Sequence, residues 1–484
     1  MKRAKNLIIM AAVLAVLLAV CFVVKALTKE PDVTTDETAA ETFSIGKIDH
    51  NSLCSVSVTN IRDGGKETLN FRLNDTGDGW IWDGNEELPL DNSKFVALVS
   101  AVSGAVSDYK MKVETSKLGD YGLDDPASSV TFGFDDGKAV TYLAGSRNSF
   151  NGMYYFADAA DVNSVYVVDP AVALASDVTV LDMIRFDKIP TLTAASVKAV
   201  SWQIGSDTLK YTRYSAGNPD YYTDYYSWFL SVNGGKERPV SPDFAGKLEG
   251  MLEGMFLTEC VSYDRADEAK FGMDHPVAVT VDYVVTDTVE NSETGLKTDI
   301  DRDEKLVLEF GGTAEDGTRY ARPEGSAMIY GFYGSEFITE LLGAGEITVL
   351  PAEIVTLNVD QIVFFKATSG DKTLTVNIIH GADTDVYKHE DGTELTEKEY
   401  NAFGEFLAAI NNVRAVSDTS LVGKTAEQER EIFRLELGFV NEKCPSGTLV
   451  ITEYGGNYCR ISFLDRDSQL VPVTDVSALI AMIH

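Results

Sequence analysis

One hexapeptide is written twice at a fixed interval: Tyr121-Gly122-Leu123-Asp124-Asp125-Pro126 and Phe271-Gly272-Met273-Asp274-His275-Pro276, each matched position 150 residues apart. That period is too long for a solenoid repeat and long enough for each copy to bury a core of its own. It divides the 484 residues into about three domains of ordinary size. The third copy emerges from a gap-free alignment of "IDHNSLCSVSV" from Ile48, "LTAASVKAVSW" from Leu192 and "LNVDQIVFFKA" from Leu357. Apolar residues recur at Leu53, Val197 and Ile362 and again at Val56, Val200 and Phe365, which is the entry into a strand with alternating faces. A second strand follows each time, as "ETLNFRL", "DTLKYTRY" and "KTLTVNII".

Helix signals come next in every copy. Asp91 precedes "NSKFVALVSAV", Ser241 precedes Pro242, and Thr396-Glu397-Lys398-Glu399 has the form of a capping box. Apolar residues then fall three and four apart, through Phe95, Leu98, Val99 and Val102 in the first copy, so each helix presents one face to a sheet. Trp80 and Trp228 read as core anchors. A strand-rich half closes each copy, with an acidic insertion from Thr286 to Glu304 in the second that reads as a solvated segment. The expected fold is α+β: an N-terminal transmembrane helix followed by three tandem β-rich modules, each an antiparallel sheet with one main packed helix. The expected boundaries are 1–28 for a signal-anchor helix, 29–43 for a polar acidic stalk, then 44–187, 188–350 and 351–484.

The anchor expectation rests on length. The uncharged apolar run from Leu7 to Val24 would reach about 27 Å as a helix, near the hydrocarbon thickness, and exceeds the h-region of a cleaved signal peptide. Lys2, Arg3 and Lys5 before it would hold that end in the cytoplasm and leave the bulk outside, a single-pass cell-membrane protein. Only four of the 41 basic residues lie in residues 1–28, whereas the chain carries 75 acidic ones, so the exported surface repels nucleic acid. Five cysteines do not make a disulfide scaffold, although Cys444 and Cys459 could bridge neighbouring strands.

The repeated hexapeptide reads as a structural joint between the helical and strand halves. Gly122 and Gly272 permit positive φ, while Pro126 and Pro276 bias the preceding residue to an extended conformation. Asp124 and Asp125 make a poor catalytic pair, since neighbours in an extended chain point opposite ways, and His275 stands where the first copy has Asp125.

Around the first joint, "LGDYGLDDPASSVTFGFDDGK", "GMYYFAD" and "SVYVVD" resemble the bacterial family catalogued as domain of unknown function 4340, over roughly residues 70 to 190 and less closely 220 to 345. The third copy departs from it, since "EREIFRLELGF" has neither glycine nor proline at the joint. The resemblance implies a membrane-anchored surface accessory protein of the kind found beside ABC-type export systems, and transfers no catalytic residue.

The best local binding candidate is the aromatic run Tyr221, Tyr222, Tyr225, Tyr226 and Trp228, whose two-by-two spacing puts rings on both faces of an extended segment. "DIDRDE" at Asp299 to Glu304 and "DRD" at Asp465 to Asp467 lack the full ligand set of a calcium loop, and no zinc, phosphate-loop or nucleophile-elbow motif occurs. The sequence therefore predicts no cofactor, no metal and no enzyme. It predicts a non-catalytic extracytoplasmic accessory or scaffold protein of a membrane transport or envelope assembly, acting through protein partners. The alternative is a cell-wall glycan hydrolase or polysaccharide-binding surface protein.

Overall fold

The computed structural model of the chain describes residues 42–46, 48–62, 64–290, 295–343, 349–416, 430–455, 457–464 and 469–483. Strands form where the sequence alternates. In β1 (Leu53–Arg62) Val56 and Val58 are buried, while Ser57 and Thr59 lie on the other face and bond across to Asn70 and Thr68. The first sheet continues through β2 (Gly65–Leu73), β3 (Trp80–Trp82), β4 (Lys110–Lys112), β5 (Ser128–Phe134), β6 (Ala139–Arg147), β7 (Tyr154–Asp158) and β8 (Ser164–Val168). Its order is β3-β2-β1-β5-β6-β7-β8-β4. Helix α1 (Asn92–Ser103) lays Phe95, Leu98, Val99 and Val102 on one face, with the Trp80 ring stacked on Phe95 at 4.5 Å. Phe43, expected at the end of the stalk, pairs instead with Ser107, as Ser44 does with Val106, in a separate two-stranded ladder.

The same plan is written again twice. The second sheet comprises β9 (Val197–Ile204), β10 (Asp207–Arg213), β11 (Trp228–Val232), β12 (Arg238–Pro239), β13 (Leu257–Ser262), β14 (Val277–Glu290), β15 (Lys297–Thr313), β16 (Arg319–Pro323) and β17 (Ile329–Phe332). Its order, β12-β11-β10-β9-β14-β15-β16-β17-β13, matches the first sheet with one strand added at an edge. Helices α2 (Pro242–Glu253) and α3 (Ser335–Gly343) accompany it, and the Ser241 side chain caps α2 by accepting from Phe244 N. The third sheet holds β18 (Ile362–Ser369), β19 (Lys372–Ile379), β20 (Val386–Lys388), β21 (Glu431–Phe439), β22 (Ser446–Gly455), β23 (Tyr458–Phe463) and β24 (Leu470–Pro472), in the order β20-β19-β18-β21-β22-β23-β24. It carries α4 (Glu397–Asn411), which starts in a formed capping box between Thr396 and Glu399, and α5 (Val473–Ala481).

The α+β expectation is corrected. Strands hold 43% of the described residues and helices 22%, in four antiparallel sheets, so the fold is mostly β. The cause is the module plan itself, in which one or two short helices cover one face of a seven- to nine-stranded sheet. The membrane-spanning helix is also withdrawn from the fold. No helix among the described residues is long and apolar enough to cross a membrane. The longest of them, α4 with 15 residues, would reach only about 22 Å and keeps one polar face. The expected anchor at Leu7–Val24 lies outside the described residues, as do Asp465–Asp467.

Compactness groups the chain as residues 1–87 with 92–178, and residues 88–91 with 179–484. The second and third sheets thus belong to one unit. The insertion is solvated but forms a ribbon rather than a loop at Asp299–Glu304, with β14 and β15 paired continuously from Val277↔Phe310 to Glu290↔Lys297. Thr286 and Thr288 donate across it to Asp301 and Asp299, and Arg302 meets Asp287 at 3.6 Å. Cys459 is a buried free thiol, so the bridge to Cys444 does not form.

One consequence is a sensitivity to alkali. Burial, reinforced by the 2.7 Å bond that its hydroxyl donates to Glu237, pushes the Tyr214 phenol from 10.0 up to about 12, and burial does the same for Tyr387. A folded-state value above the unfolded one means stability that is complete below pH 10 and lost as pH rises towards 12. Urea midpoints are therefore expected to fall across that window in step with tyrosinate absorbance. A midpoint flat through it would contradict the assignment.

Candidate functional site

The two hexapeptides occupy matching places and make matching contacts. Each ends a 3₁₀ turn, Thr115–Tyr121 or Arg265–Phe271, with a glycine in the left-handed region, φ 67° at Gly122 and 66° at Gly272. A Cβ would stand 2.7 Å from Ser146 N in the first and 2.7 Å from Gly312 N in the second. Leu123 and Met273 are buried beneath the turns, and the rings of Tyr121 and Phe271 meet Tyr155 and Tyr320 edge-on, both at 4.8 Å. The partner surface is a second pair of glycines that sequence reasoning passed over. A Cβ on Gly145 would lie 2.2 Å from Tyr121 O, and one on Gly311 would lie 2.5 Å from Phe271 O. Glycine inside a strand marks such close backbone approach, and "YLAG" and "LEFGG" carried that signal. Asp124 accepts from the Asp125 amide, Asp125 pairs with Lys66, and His275 is exposed.

The aromatic run lies elsewhere than a surface. Tyr221, Tyr222, Tyr226 and Trp228 are all buried, and only Tyr225 is open, at 60% exposure. Trp228 points into its own module and donates Nε1 to Glu249 at 2.8 Å. The tyrosines instead join the core of the third sheet. The Tyr222 hydroxyl accepts from Thr356 N at 2.9 Å, its ring stacks on Phe439 at 4.9 Å, and Tyr226 shares a 2.6 Å hydrogen bond with the Thr356 hydroxyl. Asn441 donates to Tyr221 O at 2.6 Å and Gln361 to Asp224 at 2.6 Å. The binding expectation for this run is therefore corrected: its rings are mortar between two sheets, because the third module covers the face that local spacing leaves open.

The opposite situation holds at Phe150, which sequence reasoning missed. It sits at the tip of the β6–β7 hairpin with its side chain 100% exposed. The loop is closed by Asn148 N to Met153 O (2.7 Å) and Gly152 N to Asn148 O (2.8 Å). Side chains add Phe150 N to Asn148 Oδ1, Met153 N to Asn151 Oδ1, and Arg147 Nε to Gly152 O. A lone aromatic in a loop has no periodic signature, so only the geometry reveals it.

Residues 80–225 match the family model described as Domain of unknown function (DUF4340). That segment is similar to DUF4340. Comparison with curated proteins and with solved structures gives no match. The DUF4340 match takes in the first joint and the Phe150 hairpin, and ends within the aromatic run at Tyr225.

Beyond the DUF4340 segment, the perturbed groups are structural. Arg322, buried, lies 2.6 Å from Glu268 and 2.5 Å from Glu309, and its hydrogen bond holds the Glu268 carboxyl below the usual range. Burial pushes the Cys260 thiol up to about 12, which removes it as a nucleophile. Asp187 accepts from Ser326 at 2.6 Å and from Tyr330 at 3.1 Å, and burial raises the Tyr330 phenol. Among the described residues no group of three metal-ligating side chains converges.

Proposed function

We propose that the chain is a non-catalytic binding protein, an accessory or scaffold subunit whose DUF4340-like segment seats the Phe150 hairpin in an apolar pocket of a partner protein. The observation that carries this reading is Phe150 itself, a wholly exposed ring on a loop held by five hydrogen bonds. Burying such a side chain is worth about 1.5–3 kcal/mol, and aromatic anchors of this kind dominate protein contacts. The locked loop spares the ordering entropy that a mobile one would lose on docking. The family resemblance to proteins found beside ABC-type export systems supports a subunit of such an assembly as the partner.

Chemistry supports binding over glycan hydrolysis. Hydrolysis by paired carboxylates needs one acid with a raised pKa. The carboxyls with marked shifts among the described residues, such as Asp78, Asp161, Asp316 and Glu431, are instead held low by hydrogen bonds. In the full chain a photo-crosslinking residue at Ser149 is expected to trap one discrete protein. Phe150→Ala should abolish that adduct with the denaturant midpoint unchanged. No adduct, or one indifferent to Phe150→Ala, would overturn the proposal.

A further inference from the structure

Antiparallel pairing of β13 with β17 brings Phe256 and Tyr333 side by side just beyond the ladder, where Tyr333 N donates to Phe256 O at 3.1 Å. Their rings stack at 4.4 Å with planes 15° apart, yet they remain 48% and 56% exposed. They close no core, since the adjacent Leu257 and Phe332 are the buried residues. A cleft opens on either side. One of about 370 Å³ lies between α2 and α3, with Gly250 on its wall and Lys247 and Glu340 beside it. The other, about 440 Å³, is lined by Thr258, Asp316 and Thr318. Tyr333, Gly334 and Glu336 line both, so the two clefts meet at the Tyr333 ring, which Phe256 backs from outside either lining.

We propose that this surface is a carbohydrate-binding site, in which a pyranose ring stacks on Tyr333, held in place by Phe256, and its hydroxyls donate to Asp316, Glu336 and Glu340 along the clefts. A sugar is the ligand class that combines an apolar C–H face with a rim of hydroxyl donors, and concave sites with an aromatic wall and a few polar groups are built for such ligands. Phosphate and acidic peptides are repelled, because three carboxylates face one ammonium. That ammonium, on Lys247, is already held by Glu340 at 3.3 Å and Asp243 at 3.5 Å. Gly250 fits the same purpose. A Cβ there would meet nothing within 4 Å, so packing does not require a glycine that weakens the helix, while a side chain would narrow the cleft. The site shares no residue with the Phe150 hairpin, and its test does not depend on that hairpin.

The test is affinity electrophoresis of the full chain through gels containing hydroxyethyl cellulose, galactomannan or solubilised peptidoglycan. Retardation is expected in at least one gel and should persist in high salt. Tyr333→Ala should weaken it about tenfold or more. Gly250→Leu, which favours the helix while filling the cleft, should abolish it, and Phe150→Ala should leave it unchanged. Retardation in none of the gels, or retardation that survives both cleft variants, would overturn the site. So would salt-sensitive binding of oligolysine that Tyr333→Ala removes, since the clefts would then serve a basic peptide.

Discussion

Gly122→Val is expected to unfold the first module selectively, lowering its denaturant midpoint while the unit containing the second and third sheets keeps its own. The argument is steric. At φ 67° a β-branched side chain occupies a region that only glycine enters freely, and its Cβ would stand 2.7 Å from Ser146 N and 3.1 Å from Ser146 Cβ. Backbone strain of this kind costs about 1–3 kcal/mol, and forcing atoms into a packed contact adds about 1–3 kcal/mol. The total is a large share of the roughly 5–15 kcal/mol that holds a domain together. Asp125→Asn at the same joint should be silent, because the Asp125–Lys66 pair lies in water with both side chains more than half exposed. Denaturant titrations resolved by the Trp80 and Trp82 fluorescence of the first module check both. Equal stability of Gly122→Val and the parent would mean that the turn can relax away from β6. Loss of partner crosslinking in a fully stable Asp125→Asn protein would return the hexapeptide to the candidate sites.

Much of the module plan was legible because its signals are local and repeated. Ser241 with Pro242, the Thr396–Glu399 capping box and the apolar faces of α1, α2 and α4 depend only on neighbours a few residues away. The features that were not legible depend on distant partners or on none. The β14–β15 ribbon buries neither face beyond Tyr283, so alternation of apolar and polar residues is missing there. Its register is fixed instead by Thr–Asp and Arg–Asp pairs across the strands. Phe256 and Tyr333 are far apart in sequence, and only the β13–β17 pairing makes them a pair. The α+β label fails for a similar reason, since each long amphipathic segment is conspicuous in sequence while the short strands β3, β12 and β20 are not.

The aromatic run gives the sharpest case, and Tyr222→Ala is the second large expected effect. Spacing predicts tyrosines on two faces of an extended segment, whereas the run is a series of turns and bends, and spacing could not say that Phe439, Phe463 and Thr356 arrive from the third module to cover it. Truncating a buried aromatic ring costs about 3–5 kcal/mol, and the Thr356 amide would lose the acceptor it now has. Because Tyr222 belongs to the core of the third sheet while standing on the chain of the second, that loss falls on the coupling between them. The parent is expected to unfold the two sheets in one transition, and Tyr222→Ala in two, with the third module's transition at lower denaturant. Tyr222→Phe isolates the hydroxyl and should cost about 1 kcal/mol. Tyr225→Ala, at a ring 60% exposed, should leave the single transition intact. Hydrogen exchange resolved by segment separates these outcomes. If Tyr225→Ala split the transition and Tyr222→Ala did not, the run would have to be read again as a surface that a ligand orders.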